Sequence, residues 1–300
     1  MKVNKVDTFS GHRDCVYTLD TSKSNSIFYS AGADGFVIEW NLNKPDLGKL
    51  IARATTPVYA VAYEPTHDEL WIGQNFEGIR VVNPYSMEDV ASYGGVKSSI
   101  FDIVFTKTDA YIAQGDGVIL VMDIATKSVR KRIKIADKSV RSLAINHEKN
   151  QLAAGTSDWT VLILDLENHE PIHLLKTHSN SVFVVKYSPD NRFLLTAGRD
   201  AHFHVFEVAS GYKQVNDIAA HMFAINDLVY NNEGTLFATC SMDKSVKVWD
   251  AHTFRLLKVI DRARHAGHGT SINKLLWNTQ GDLLVSASDD KFVAVWQIEK

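Results

Sequence analysis

The stretch Thr239-Cys240-Ser241-Met242-Asp243-Lys244-Ser245-Val246-Lys247-Val248-Trp249-Asp250 reads as the end of one strand, a tight turn carrying Asp243, and a second strand that closes on a bulky ring. Val246 and Val248 alternate with Lys247, which is the period of a strand and not of a helix. The same reading fits Ser30-Ala31-Gly32-Ala33-Asp34-Gly35-Phe36-Val37-Ile38-Glu39-Trp40 and Ser286-Ala287-Ser288-Asp289-Asp290-Lys291-Phe292-Val293-Ala294-Val295-Trp296. Outward from these copies, the strand-closing residue recurs as Trp40, Val82, Met122, Leu164, Phe206, Trp249 and Trp296, at intervals of 42, 40, 42, 42, 43 and 47 residues. Seven units in phase occupy all 300 residues.

That period is the one expected of propeller blades rather than of helical or leucine-rich repeats. A single small twisted sheet cannot bury both its faces, whereas seven arranged radially cover one another and leave only short, protected edges. The fold class predicted is therefore all-β: a seven-bladed β-propeller of four-stranded antiparallel blades, one domain with repeats at roughly 12–52, 53–95, 96–135, 136–177, 178–220, 221–262 and 263–300. The last unit stops at Trp296-Gln297-Ile298-Glu299-Lys300, directly after its third strand, while Lys2 to Phe9 has no unit of its own. Residues 1–9 are expected to pair as the outer strand of the last blade and so close the array.

The three quoted stretches resemble the WD-repeat (beta-transducin-like) family. Gly11-His12 and Gly267-His268 match its second signature, His178 and His221 match the histidine without the glycine, and the literal Trp-Asp pair stands at Trp249-Asp250. The resemblance implies buried hydrogen-bonded sets of His, Ser or Thr, Asp and Trp. Here these would be His12, Ser30, Asp34 and Trp40; His221, Thr239, Asp243 and Trp249; and His268, Ser286, Asp290 and Trp296. His178, Thr196 and Asp200 form a set whose last member is Phe206, which has no indole to donate. A His beside a Ser and an Asp also suggests a catalytic triad. Repetition argues for structure, since an active site needs one constellation and a scaffold needs many; an Asp that fixes the imidazole tautomer, and an imidazole that orients a hydroxyl, satisfy polar groups that burial would otherwise penalise. Units two to four carry Val82, Met122 and Leu164 without a preceding His, which reads as apolar packing in place of the polar set.

Composition fits one soluble globular domain, with 45% apolar and 22% charged residues and a net charge of -3. No run of about 18 uncharged apolar residues occurs, and Met1-Lys2-Val3-Asn4-Lys5 leads into no apolar segment, so neither a membrane span nor a signal peptide is expected. Cys15 and Cys240 fall in different units and read as packed thiols of a reducing compartment. The predicted location is intracellular and cytoplasmic.

No phosphate loop or serine elbow appears; Gly94-Gly95-Val96-Lys97-Ser98 lacks the spacing. His202-Phe203-His204 and His265-Ala266-Gly267-His268 offer two imidazoles each, and two ligands do not make a metal site, so no metal or other cofactor is expected and no enzyme activity is assigned. Lys127-Ser128-Val129-Arg130-Lys131-Arg132-Ile133-Lys134 is the one dense basic run and falls where the outer strand of the third blade belongs, a usual guard against edge-to-edge pairing. It also carries the alternative function, an RNA-associated assembly factor; an acidic chain lacks the field for DNA. The main reading is a scaffold or adaptor, monomeric by itself, binding a protein, peptide or loop on the rim of the channel. One residue past the first apolar position of each first strand stand Tyr17, Tyr59, Phe101, Arg141, Phe183, Asn226 and Asn273, with Arg199 and Trp159 near the turns. Tyr17, Tyr59, Phe101, Arg141, Phe183, Arg199 and Trp159 are the expected partner contacts, because aromatic residues and Arg are favoured interface anchors. Packing of the same rings between blades is the competing reading, since alternation does not fix which way they point.

Overall fold

The computed structural model describes residues 1–299 and is almost entirely β. Strand β1 (Lys2–Phe9) precedes blade one, which is β2 (Val16–Thr21), β3 (Ile27–Gly32), β4 (Phe36–Asn41) and β5 (Lys44–Arg53). Blade two is β6 (Val58–Glu64), β7 (Glu69–Gln74), β8 (Gly78–Val82) and β9 (Asp89–Tyr93); blade three is β10 (Ile100–Phe105), β11 (Asp109–Gln114), β12 (Val118–Asp123) and β13 (Val129–Lys134). Blade four is β14 (Val140–Asn146), β15 (Gln151–Thr156), β16 (Val161–Asp165) and β17 (Pro171–Leu175); blade five is β18 (Val182–Tyr187), β19 (Phe193–Gly198), β20 (His202–Glu207) and β21 (Lys213–Ala219). Blade six is β22 (Ile225–Tyr230), β23 (Leu236–Ser241), β24 (Val246–Asp250) and β25 (Leu256–Ile260), and blade seven is β26 (Ile272–Asn278), β27 (Leu283–Ser288) and β28 (Val293–Glu299) with β1 as its fourth strand. Every pairing is with the next strand in sequence except that of β1 with β28. The chain forms two compact units, Met1–Gly95 with Asn226–Lys300, and Val96–Ile225.

The turns between the second and third strands explain the recurring Asp. In blade one the Asp34 carboxylate accepts the Phe36 N–H at 3.0 Å, in blade six Asp243 accepts Ser245 N–H at 3.0 Å, and in blade seven Asp290 accepts Phe292 N–H at 3.2 Å. Each is an Asx turn in which the side chain replaces a backbone acceptor. The residue after the Asp is left-handed, with φ of 72° at Gly35 and 80° at Gly117, where a Cβ at Gly35 would lie 2.4 Å from the Ala54 carbonyl oxygen.

In the first unit, blades seven and one share a core of Phe9, Val16, Phe28, Trp40, Val285, Val293 and Val295, and blades one and two share Tyr29, Val37, Ile51, Val58, Val61 and Leu70. In the second unit, Tyr111, Ile119 and Val121 of blade three meet Val140, Leu152 and Leu164 of blade four. The strand-closing residues are buried whether ring or aliphatic: Trp40, Val82, Met122, Leu164, Phe206, Trp249 and Trp296 are all core. Strand β1 runs antiparallel to β28 from Lys2 opposite Glu299 to Phe9 opposite Val293, and stacks the Phe9 ring on Trp40 at 5.5 Å. Burying such a ring contributes roughly 1.5–3 kcal/mol. Lys300 lies outside the described residues.

One irregularity recurs and positions the candidate site. Between the first two strands the register slips by one residue at Tyr17, Tyr59, Phe101, Arg141, Phe183 and Asn273, as where Val16 faces Gly32 and Thr18 already faces Ala31. These residues are the extra member of a β-bulge, which breaks the strand's alternation and re-aims a side chain.

Candidate functional site

In blade one, Trp40 Nε1 donates to Ser30 Oγ at 2.7 Å, Ser30 Oγ lies 2.7 Å from His12 Nε2, and His12 Nδ1 lies 3.0 Å from Asp34 Oδ2. The Asp34 carboxylate can only accept, so the neutral His12 ring carries its proton on Nδ1 and its Nε2 accepts from the Ser30 hydroxyl, whose oxygen in turn accepts from the indole. Asp34 also accepts the Arg13 N–H at 2.8 Å. Blade seven repeats the chain with Trp296 to Ser286 at 2.9 Å, Ser286 to His268 at 2.9 Å and His268 to Asp290 at 2.9 Å. In blade five His178 meets Asp200 at 2.8 Å and Thr196 at 2.7 Å, and in blade six Trp249 donates to Thr239 at 2.9 Å, His221 is buried and Asp243 accepts Ser245 N–H in the turn. Burial raises the carboxyls of Asp34, Asp200 and Asp290, but the histidine and the backbone amides outweigh it and leave all three below the ordinary value. Ser30 and Ser286 are fully buried and their oxygens are occupied by indoles. A nucleophilic serine needs an oxygen that can reach substrate, so these sets are chemically sealed. The glycine of Gly11-His12 has a steric reason: a Cβ there would lie 2.8 Å from the Trp40 ring.

Blade four keeps part of the device without histidine, since Asp158 accepts the N–H groups of Asp137 and Lys138 at 2.8 and 3.0 Å. Polar brackets between neighbouring blades come from the residue after the bulge: Asp102 accepts Leu143 N–H at 2.8 Å, Ser142 Oγ accepts Val185 N–H at 3.2 Å, and the buried Asp227 accepts Leu275 N–H at 2.9 Å. Their one sequence signal is a short polar residue two past the first apolar position of the strand.

The bulge residues are half-buried, and within each unit they touch across blades. In the second unit the Arg141 guanidinium lies between two rings, 3.8 Å from Phe101 and 4.8 Å from Phe183. Arg141 is the second residue of β14, whose first residue Val140 pairs with Thr156 at the end of β15, so Arg141 shares one end of blade four with the following turn and its Trp159. Trp159 is 48% exposed at a φ of +70°, with Lys138 Nζ 6.0 Å from its ring. Arg199 is exposed in the equivalent turn of blade five. In the first unit Tyr17 and Tyr59 pack at 4.9 Å. There Asn226 donates to Ser271 Oγ and the Ile272 carbonyl at 3.1 and 2.8 Å, and Asn273 donates to the Val16 carbonyl and Asp289 at 2.9 and 2.7 Å. The same position thus stitches blades through amides in one place and presents aromatic and cationic edges in another.

The basic run is β13, the exposed outer strand of blade three. Arg130 is paired with Asp109 and Asp123, Lys131 donates to the Asn168 carbonyl at 3.2 Å, and Lys134 donates to the Asp116 carbonyl at 2.6 Å. Both cysteines are free thiols; burial and then Asp289 push Cys15 up to about 11, and burial raises Cys240, so neither is an activated thiolate. Among the described residues, three groups of side chains bring potential metal ligands together: His178, Asp200 and His204; His202, His204 and Asp217; and Glu64, His67 and Glu69.

Comparison with known proteins agrees with this architecture. The family model "WD domain, G-beta repeat" matches residues 3–41, 212–250 and 261–297, and that of the "Anaphase-promoting complex subunit 4 WD40 domain" matches 110–190. WD repeat-containing protein SL1-17 of Schistosoma mansoni is 24% identical over 68% of this chain and 54% of its own length. The Denticleless protein homolog of Homo sapiens is 22% identical over 81% of this chain and 35% of its own, so the chain spans about half or less of these relatives. The solved WD40 β-propeller domain of Doa1 superposes with a TM-score of 0.87 at 17% identity, over 99% of this chain and 98% of that one. With seven four-stranded antiparallel sheets and β1 completing the last, the fold is the seven-bladed β-propeller. The chain belongs to the WD-repeat family.

Proposed function

We propose that the chain is a non-enzymatic scaffold that holds a peptide or loop of another protein on the bulge-bearing end of its blades, with Phe101, Arg141, Phe183 and Trp159 as the central contacts and Arg199 beside them. The observation that carries this reading is the Arg141 guanidinium held between Phe101 and Phe183. Rings on either side fix a cation that would otherwise lose rotamer entropy on binding, and aromatic and Arg anchors of this kind dominate interface energetics. A guanidinium so placed favours a carboxylate or phosphate in the ligand, and the exposed Trp159 ring favours an apolar side chain next to it. Tyr17 and Tyr59 offer a second aromatic surface at the same blade position. The sealed Ser-His-Asp sets support a non-enzymatic role. An RNA-directed role through β13 has less support, because Arg130 is already matched by Asp109 and Asp123.

A phage-displayed peptide library selected on the intact chain, and on a chain carrying Arg141→Ala and Trp159→Ala whose circular dichroism is unchanged, tests the proposal. Enrichment of acidic or phosphomimetic peptides with an apolar neighbour, lost in the double variant, is expected. Identical enrichment on both proteins would refute the site, and retention of RNA only, lost on neutralising Arg130, Lys131 and Arg132, would move the function to β13.

A further inference from the structure

We infer that His202, His204 and Asp217 form a binding site for a divalent transition-metal ion of the zinc class on the outer half of blade five. His202 and His204 stand two apart on β20 and share one face of the strand. The register of β20 with β21 sets Asp217 directly opposite His204. His202 Nδ1 lies 2.6 Å from Asp217 Oδ1, His204 Nδ1 lies 3.9 Å from the same oxygen, and one donor atom from each of the three residues falls within 4.8 Å of the others. A tetrahedral ion with bonds of about 2.0–2.1 Å needs ligand atoms roughly 3.3 Å apart. Rotation of His202 and Asp217, whose side chains are 40% and 51% exposed, covers the difference.

The Gln214 amide nitrogen donates to His204 Nδ1 at 2.9 Å, so that nitrogen carries a lone pair, which an ion would take in place of the Gln214 N–H. His178 packs edge-on to His204 with centroids 4.2 Å apart, but both its nitrogens are engaged, by Asp200 and Thr196, in the arrangement that His12 and His268 repeat, so it supports the site and does not ligate.

The repeats provide an internal control. At the cross-strand pair where blade five sets His204 against Asp217, blade one has Ile38 against Leu50, blade three Leu120 against Arg132, blade four Leu162 against Leu174, blade six Lys247 against Val259 and blade seven Ala294 against Thr8. Blade architecture therefore does not require these side chains, and two imidazoles with one carboxylate suit zinc, nickel or copper rather than magnesium or calcium. Three protein ligands at a half-exposed position leave coordination sites open to water.

Titration of the full-length chain with Co2+, followed by its visible absorption, and with Zn2+, followed by calorimetry, tests the inference. One ion per chain is expected, with no response to Mg2+, and His202→Gln or Asp217→Asn should each weaken binding by at least about 10-fold, since loss of even an outer-shell partner costs that much. Both positions are exposed enough to be altered without unfolding the blade, which circular dichroism checks. Absence of saturable binding to the intact chain would overturn the inference, as would unchanged affinity in both variants or loss on Asp200→Asn alone.

Discussion

Truncating Asp34 to Ala removes the common acceptor of the His12 ring, the Arg13 amide and the Phe36 amide from a site where the His12 side chain is fully buried and that of Asp34 is 5% exposed. Deleting one partner of a buried charged hydrogen-bonded pair costs about 3–5 kcal/mol. Asp116→Ala is the matched control: it too precedes a left-handed glycine, Gly117, but it is exposed, and among the described bonds its carboxylate accepts only the Val118 N–H, at 3.3 Å. One such bond contributes about 0.5–1.5 kcal/mol. At about 2.1 cal/mol/K per residue, unfolding of 300 residues carries an entropy near 0.6 kcal/mol/K, so Tm should fall by about 5–8 °C for Asp34→Ala and by about 1–2 °C for Asp116→Ala. Scanning calorimetry at pH 7 reads both. In a double-mutant cycle, His12→Phe and Asp34→Ala should be non-additive by about 1 kcal/mol or more. The Asp34 carboxyl sits below its ordinary value in the fold, so its contribution is fully present above about pH 4 and is lost as pH falls through the depressed value; the Tm gap to Asp34→Ala should stay constant from pH 7 to about 5 and then close. Equal Tm losses for the two aspartates, or an additive cycle, would refute the buried-set reasoning.

Deleting residues 1–9 removes β1 and the Phe9 ring and leaves β28 with a bare edge, so faster amide exchange in blade seven and concentration-dependent self-association are expected; a monodisperse protein of unchanged Tm would contradict the closure. Trp159→Gly should leave stability unchanged or raise it by up to about 1 kcal/mol, because a bulky residue at φ +70° is costly and glycine is not, while peptides selected on the intact chain should bind roughly 10-fold more weakly. Unchanged affinity would remove Trp159 from the interface. His204 stays neutral in the fold while its unfolded form protonates below about pH 6.5, so stability should fall as pH drops from about 6.5 toward 4; His204→Ile, the residue type that Ile38 supplies in blade one, should flatten that slope in pH-dependent melts.

The seven strand-turn-strand units, the Asp at six of their turns and the strand contributed by residues 2–9 are legible in the sequence, because each rests on a local pattern or on a repeat that copies itself in phase, while the His-Ser-Asp-Trp sets follow from the resemblance to the WD-repeat family. Even the apolar closures at Val82, Met122 and Leu164 kept that phase. Irregular register and contacts between blades outside the repeating motif leave no such signal. Alternation predicts the direction of a side chain only while pairing is regular, and a one-residue bulge at Tyr17, Tyr59, Phe101, Arg141 and Phe183 breaks it, bringing Arg141 between two rings contributed by the neighbouring blades. The brackets from Asp102, Ser142 and Asp227 join residues 41, 43 and 48 apart in sequence, and a single short polar residue is too weak a signal to name their partners. His202 and His204 were visible as a pair, but their third ligand is 13 residues past His204, and only the hairpin register of β20 with β21 places Asp217 on the same face; composition and spacing select the strands, whereas cross-strand register selects which side chains meet.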